Sequence, residues 1–321
     1  MTKIFIAGHN GMVGSALYKR LSNMKDTQLL VASRQELDLT NKKQVLEWFR
    51  LNKPSHVYLA AAKVGGIFAN NSYPVDFINE NIEIQNNVIN ASFEHDVERF
   101  LFLGSSCIYP KLAEQPISEI SLLNGHLEPT NEPYAIAKIC GIKLCESYNR
   151  QFNTDYRSVM PTNLYGPNDN FHDKNSHVIP GLMRRFHEAK LEDIDSVNVW
   201  GSGSPMREFL HVDDMASACV HIMDISKDDF NNIVNNPMCS HVNIGSGVDC
   251  KIKDLSELIS NIVGFKGSIK FDCQMPDGSP RKLLNVDLLN KLGWSHSISL
   301  KQGLTSTYEW FKNNYDSIRN V

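Results

Sequence analysis

Lys3-Ile4-Phe5-Ile6-Ala7-Gly8-His9-Asn10-Gly11-Met12-Val13-Gly14 decides how this chain is read. An apolar run of strand length, residues 4–7, leads into a GxxGxxG turn, and residues 13–21 continue as a helix. Each glycine has its own task in such a unit. Gly8 permits a tight turn, Gly11 lets a pyrophosphate approach the backbone, and Gly14 lets helix and strand pack closely. Phosphates would sit on the helix N-terminus, where free N–H groups and the dipole favour anions. A glycine pattern alone is a weak signal; its place between a strand and a helix makes it a dinucleotide loop.

The rhythm continues outward from that loop. Apolar runs at 28–32, 56–61, 100–103 and 157–160 alternate with helical stretches at 42–50, 76–94 and 134–150. Continuous apolar strands separated by helices predict a parallel sheet covered on both faces, the doubly wound α/β architecture of Rossmann type. After Pro161 the rhythm breaks. Residues 165–206 are rich in Asn, His, Pro and Gly, with one helix at 179–189, and an amphipathic stretch at 305–314 closes the chain. The expected division is a dinucleotide-binding domain at 1–165, with 207–230 returning to it. A smaller α/β C-terminal substrate lobe takes 166–206 and 231–321.

Composition sets the class. In 321 residues, 42% are hydrophobic and 21% charged, and the net charge is -4. That is an ordinary globular balance with no basic field for nucleic acid. No apolar run reaches the roughly 20 residues that span a bilayer. The N-terminus shows no signal-peptide layout. Seven cysteines are scattered without a CxxC pair, so no metal site is expected and the chain reads as reduced and cytoplasmic.

Candidate site residues follow in chain order. His9, Asn10, Met12 and Val13 belong to the glycine loop. Where the second strand ends, an acidic residue would hold the 2′-hydroxyl of NAD; the sequence has Ala32-Ser33-Arg34 instead. The Arg34 fork suits a 2′-phosphate and favours NADP, with Glu36 as the rival signal and a plain surface Arg as the bland one. Asp38 and Leu39, at the next strand position, would contact the adenine. Tyr134-Ala135-Ile136-Ala137-Lys138 puts a phenol and an ammonium on one helix face. The ammonium is expected to lower the phenol pKa, and the phenol to act as general acid to a carbonyl. Upstream, Leu103-Gly104-Ser105-Ser106-Cys107 ends a strand. Read as extended, it turns 105 and 107 to one side, where a Ser hydroxyl would meet the same carbonyl. Chemistry alone leaves two readings open for Cys107, buried hydrophobe or reactive thiol, and two for His177, capping residue or proton carrier.

Ser, Tyr and Lys in this order after such a loop resemble the short-chain dehydrogenase/reductase triad, and the length points to the extended branch. Leu103-Gly104-Ser105-Ser106-Cys107-Ile108-Tyr109-Pro110, Glu132-Pro133-Tyr134 and the stretches 5–9, 58–66, 161–167, 205–214, 276–278 and 280–282 narrow the likeness. Over essentially the whole chain the sequence resembles the GDP-L-fucose synthase family, epimerase/reductases of GDP-4-keto-6-deoxy-mannose. The resemblance implies an NADPH-dependent 3,5-epimerase and 4-reductase. It implies Ser105, Tyr134 and Lys138 as the reductase triad and Cys107 and His177 as base and acid of epimerisation. It adds Leu103, Gly104, Ser106, Pro161, Thr162, Asn163, Leu164 and His177 to the cofactor wall. It assigns Arg185, Trp200, Arg207 and Asp277 to the GDP-sugar. It also implies a homodimer paired through helices at 76–94 and 134–150. Asn10 departs from relatives that carry Arg in the glycine loop, which removes one cation from the cofactor phosphates.

Two other readings compete with this one. A related NAD(P)-dependent nucleotide-sugar 4-epimerase or dehydratase keeps its cofactor bound; a dehydratase needs an acidic residue beside the catalytic Ser, and Cys107 stands there. A non-enzymatic NADP sensor would not need the full Ser, Tyr, Lys, Cys and His set.

Overall fold

The computed structural model describes residues 1–173, 176–275, 277 and 279–318. Pro276 and Gly278 of the 276–278 stretch lie outside them.

The first half alternates as expected: β1 (Thr2–Ala7), α1 (Met12–Leu21), β2 (Thr27–Leu30), α2 (Lys42–Asn52), β3 (His56–Leu59), α3 (Ile67–Ser72), α4 (Pro74–Glu94), β4 (Arg99–Leu103), α5 (Glu132–Phe152) and β5 (Tyr156–Pro161). Then come β6 (Asn163–Tyr165), α6 (Val178–Leu191), β7 (Ser196–Trp200), β8 (Met206–His211), α7 (Val212–Asp224), α8 (Lys227–Ile233) and β9 (His241–Ile244). The chain closes with β10 (Asp249–Lys251), α9 (Ile252–Val263), β11 (Ser268–Asp272), β12 (Arg281–Lys282), α10 (Asp287–Lys291) and α11 (Leu300–Asn313).

The central sheet is parallel throughout, in the order β2-β1-β3-β4-β5-β9. Alternation along each strand feeds two cores. Ile4, Ile6, Leu101 and Leu103 face α1 and α7, whereas Phe5, Ala7, Phe100 and Phe102 face α2, α4 and α5. Burying both faces explains why these strands read as unbroken apolar runs. A third core gathers Phe171, Leu182, Phe186, Val197, Leu255, Ile259, Leu304 and Phe311 around α6, α9 and α11.

Three expectations are corrected. His241–Ile244, read as part of the second lobe, is the sixth strand of the central sheet, beside β5. Its run His-Val-Asn-Ile alternates polar with apolar, so it does not look doubly buried; Asn243 is instead satisfied inside by Ile117 O and Asn285 O. No strand forms at Asp38 and Leu39. The Asp38 carboxylate caps Thr40, accepting from its N at 3.0 Å and its Oγ1 at 2.8 Å, which turns the chain into α2. Finally, residues after Ser105 are not extended. Ser106–Ile108 is one 3-10 turn capped by the Ser105 hydroxyl, which accepts from Cys107 N at 3.3 Å.

The outer pieces assemble around β8. It pairs antiparallel with β10 and parallel with β6 and β12. β7 and β11 make a separate parallel pair.

Candidate active site

The site is built where parallel strands end, the place a doubly wound sheet reserves for ligands. In the order β2-β1-β3, the chain's winding switches from one side of β1 to the other, and the glycine loop stands at that switch between β1 and β3. Gly8 has φ +90, and a Cβ on it would sit 2.7 Å from the Ala61 backbone after β3. A Cβ on Gly14 would lie 2.0 Å from Gly8 O, so helix and turn touch there. Gly11 caps α1 without a side-chain hydrogen bond, and no acid occupies the first turn. The free N–H groups therefore face outward without a competing anion. His9 adds a buried Nδ1 with no partner among the described residues. These features fit a dinucleotide pyrophosphate.

Beyond β2, Arg34 is open, with 76% of its side chain exposed and Glu80 Oε2 3.8 Å from its guanidinium. Glu36 does not reach toward a ribose. It turns back on Ser33, accepting from N and Oγ at 2.8 Å each, and those bonds hold its carboxyl below the usual carboxylate range. Lys63 and Glu80, which sequence reading missed, pair at 2.7 Å, and Asp76 also reaches Lys63. Only spatial closeness of β3 and α4 reveals them.

Between β1 and β5 lie three strand spacings, about 14 Å, enough for an extended dinucleotide. At the far end, Leu103 and Gly104 close β4, and Gly104 N donates to Val159 O at 2.9 Å. A Cβ on Gly104 would strike Met160, so the two strand ends touch. Ser106 is buried, and Thr162 N is tied to Ile244 O at 2.9 Å. Asn163 Nδ2 donates to Glu208 O at 2.8 Å, while Pro161 and Leu164 flank it on β5 and β6.

Tyr134 sits in the first turn of α5 behind Pro133, its ring edge-on to Phe77 at 6.3 Å. Burial pushes its phenol up, Cys107 adds to that, and a hydrogen bond with the Ser105 side chain opposes it. Thus Ser105, Cys107 and Tyr134 meet. One turn on, Lys138 is buried and donates to Leu103 O at 2.8 Å, its Nζ 5.8 Å from the Tyr134 ring centre. Burial lowers Lys138 to about 7. The expected lowering of the phenol is therefore absent. At neutral pH a lysine so depressed carries only part of its charge, and desolvation of the phenolate outweighs it.

His177 caps the N-terminus of α6. Desolvation by its surroundings lowers its pKa, and the Lys282 charge adds to it. Lys282 Nζ donates to Cys107 Sγ at 3.7 Å. The sequence carried Lys282 only as part of the 280–282 stretch; no spacing links it to Cys107.

The four sugar-nucleotide candidates gather around β7 and β8. Trp200 ends β7 with 62% exposure. Arg185 Nη1 donates to Asn198 O at 3.1 Å, and burial lowers the Arg185 guanidinium. Burial likewise lowers Arg207, against the pull of Asp277. Asp277 accepts from Ser202 N and Oγ, bonds that hold it low.

Residues 4–245 match the model of the NAD dependent epimerase/dehydratase family. The chain is 59% identical to a GDP-L-fucose synthase of Escherichia coli, covering 99% of this chain and 98% of that protein. It is 55% identical to GDP-L-fucose synthase 1 of Arabidopsis thaliana, over 97% of this chain and 94% of that one. A solved GDP-mannoheptose C4 reductase from Campylobacter jejuni with NADP bound superposes with TM-score 0.87 at 39% identity, covering 97% of this chain and 98% of that chain. The chain belongs to the NAD dependent epimerase/dehydratase family, and within it to the GDP-L-fucose synthase group that its motifs resemble.

Proposed function

We propose that this enzyme converts GDP-4-dehydro-6-deoxy-D-mannose to GDP-L-fucose, as a 3,5-epimerase and NADPH-dependent 4-reductase in one site. The observation that carries the reading is the meeting of Ser105, Cys107 and Tyr134 above the buried Lys138.

The C4 ketone acidifies the protons on C3 and C5. The Cys107 thiolate takes such a proton, and the C–H electron pair moves into an enolate. The His177 imidazolium returns a proton to the opposite face, and the ketone re-forms. Solvent then restores thiolate and imidazolium, and the second carbon follows. A thiolate and an imidazole both exchange protons near neutrality, which suits this task. NADPH, when bound, supplies the hydride that reduces C4. Tyr134 gives its proton to the C4 oxygen, with Ser105 steadying that oxygen. A phenol held up by burial is fully protonated at neutral pH and so ready to donate. As the phenolate forms, the charged form of Lys138, its Nζ 5.8 Å from the ring centre, offsets the new negative charge. The glycine loop, with His9 and Asn10, holds the pyrophosphate, and Arg34 the 2′-phosphate. Asp38 and Leu39 line the adenine, and 161–164 line the nicotinamide. Arg185 and Arg207 hold the diphosphate of the sugar nucleotide, and Trp200 with Asp277 its base end.

The functional division follows as residues 1–165, 207–230 and β9 for the cofactor, and the remainder for the sugar. The working form is a cytoplasmic homodimer paired through α4 and α5, where Val75, Ile136 and Phe152 stay exposed. All seven cysteines are free, as a reducing compartment would have them.

Incubating purified protein with the keto sugar and NADPH tests the reading. One NADPH oxidised per GDP-L-fucose formed is expected. No NADPH oxidation with the keto sugar would contradict the reductase, and turnover of a GDP-hexose bearing a 4-hydroxyl with no net oxidation would replace it with a 4-epimerase or dehydratase that retains its cofactor.

A further inference from the structure

We propose that Lys282 is the positioning cation of the epimerising base: its ammonium stands beside the Cys107 sulfur and pairs with its thiolate. The inference rests on the epimerase reading above, and it adds a residue to which no role has yet been given.

Lys282 Nζ is 3.7 Å from Cys107 Sγ. An opposite charge within about 4–6 Å favours the charged form of its neighbour. The same ammonium disfavours a second proton on His177, after the crowding of that ring. One ammonium therefore stands beside the sulfur that takes the proton and disfavours the second proton on the ring that returns it.

The backbone beneath Lys282 is clamped on each side. Pro280 O accepts from Met206 N at 2.8 Å, Arg281 grips Asp249 at 2.6 Å, and Lys282 lies in register with Arg207. Leu283 N donates to Gln115 Oε1 at 2.8 Å, and Leu284 N donates to Glu208 Oε2 at 3.0 Å. A long flexible side chain is thus launched from a rigid strand whose neighbours β8 and the 115–117 segment both pin it, which is how a preorganised charge is made. Among the described residues, Lys282 from β12 and Tyr134 from α5 are titratable groups that face Cys107. His177 at the start of α6 faces Lys282, and Arg207 beside Lys282 is drawn to Asp277. Among these described neighbours, Lys282 is the cation on the thiol.

The test is site-resolved alkylation of Cys107 by iodoacetamide across pH, read by peptide mass, in the full-length protein. In Lys282→Met the Cys107 rate at pH 7 should fall about tenfold and recover as pH is raised. Lys282→Arg should keep most of the rate, and the exposed Cys140 should be unaffected in both. An unchanged Cys107 profile in Lys282→Met overturns the proposal. Lys282→Gln repeats the comparison should the methionine variant not fold. Solvent-deuterium exchange into C3 and C5 separates this proposal from the reading it rests on. Lost alkylation with a lower exchange kcat and little change in KM supports both. Lost alkylation with unchanged exchange leaves the ion pair standing and removes Cys107 from the reaction.

Discussion

Lys138 is about 4% exposed, and its ammonium donates to the Leu103 carbonyl. Burial lowers it to about 7 from 10.5, so between those values the unfolded chain binds a proton that the folded chain does not. Stability contributed through this group is therefore lost as pH falls through 7 and gained as pH rises toward 10. Lys138→Met should remove that slope. Thermal melts from pH 6 to 10 should show the variant gaining on the native protein at the acid end, by on the order of 1–4 kcal/mol. Parallel melting curves at all pH values would contradict a buried, depressed lysine. Cys107→Ser belongs to the same scale. It should abolish exchange of solvent deuterium into C3 and C5 while leaving NADPH binding intact, because the hydroxyl does not ionise near neutrality. Unchanged exchange would remove Cys107 from the base role.

The glycine loop and helix α5 carry the site at the scale of elements. Gly14→Ala should destroy cofactor binding, since the added carbon would lie 2.0 Å from Gly8 O at the point where helix meets turn. NADPH titration by fluorescence checks this. Gly141, midway along α5, faces Phe102 and Gln85 of neighbouring elements at 2.3 and 2.9 Å from its would-be Cβ. Gly141→Ala should cost roughly 1–3 kcal/mol by overpacking and loosen the helix that holds Tyr134 and Lys138, read as a lower Tm. The strands, the loop and the α5 pair were legible because periodicity and glycine spacing are local. What was not legible is contact made by topology. The turn at Ser106–Ile108 depends on a Ser105 cap, Asp38 spends its carboxylate on Thr40, and Lys282 reaches Cys107 across 175 positions. Likewise β9 hides its burial behind His241 and Asn243, whose partners come from distant segments.

Three cores hold the whole molecule, two on the faces of the parallel sheet and one under α6, α9 and α11. The candidate site draws Ser105, Cys107, Tyr134 and Lys138 from the first assembly. It draws His177, Arg185, Trp200 and Arg207 from segments beyond β5, so its completeness depends on both. Among the described residues no helix is long and apolar enough to cross a membrane. Epimerisation and reduction in one site, as proposed, require separable proton carriers. The direct test is Tyr134→Phe in deuterium oxide with the keto sugar and NADPH. Deuterium should still enter C3 and C5, while NADPH oxidation falls by about 10²-fold or more. Oxidation at the native rate would contradict the account.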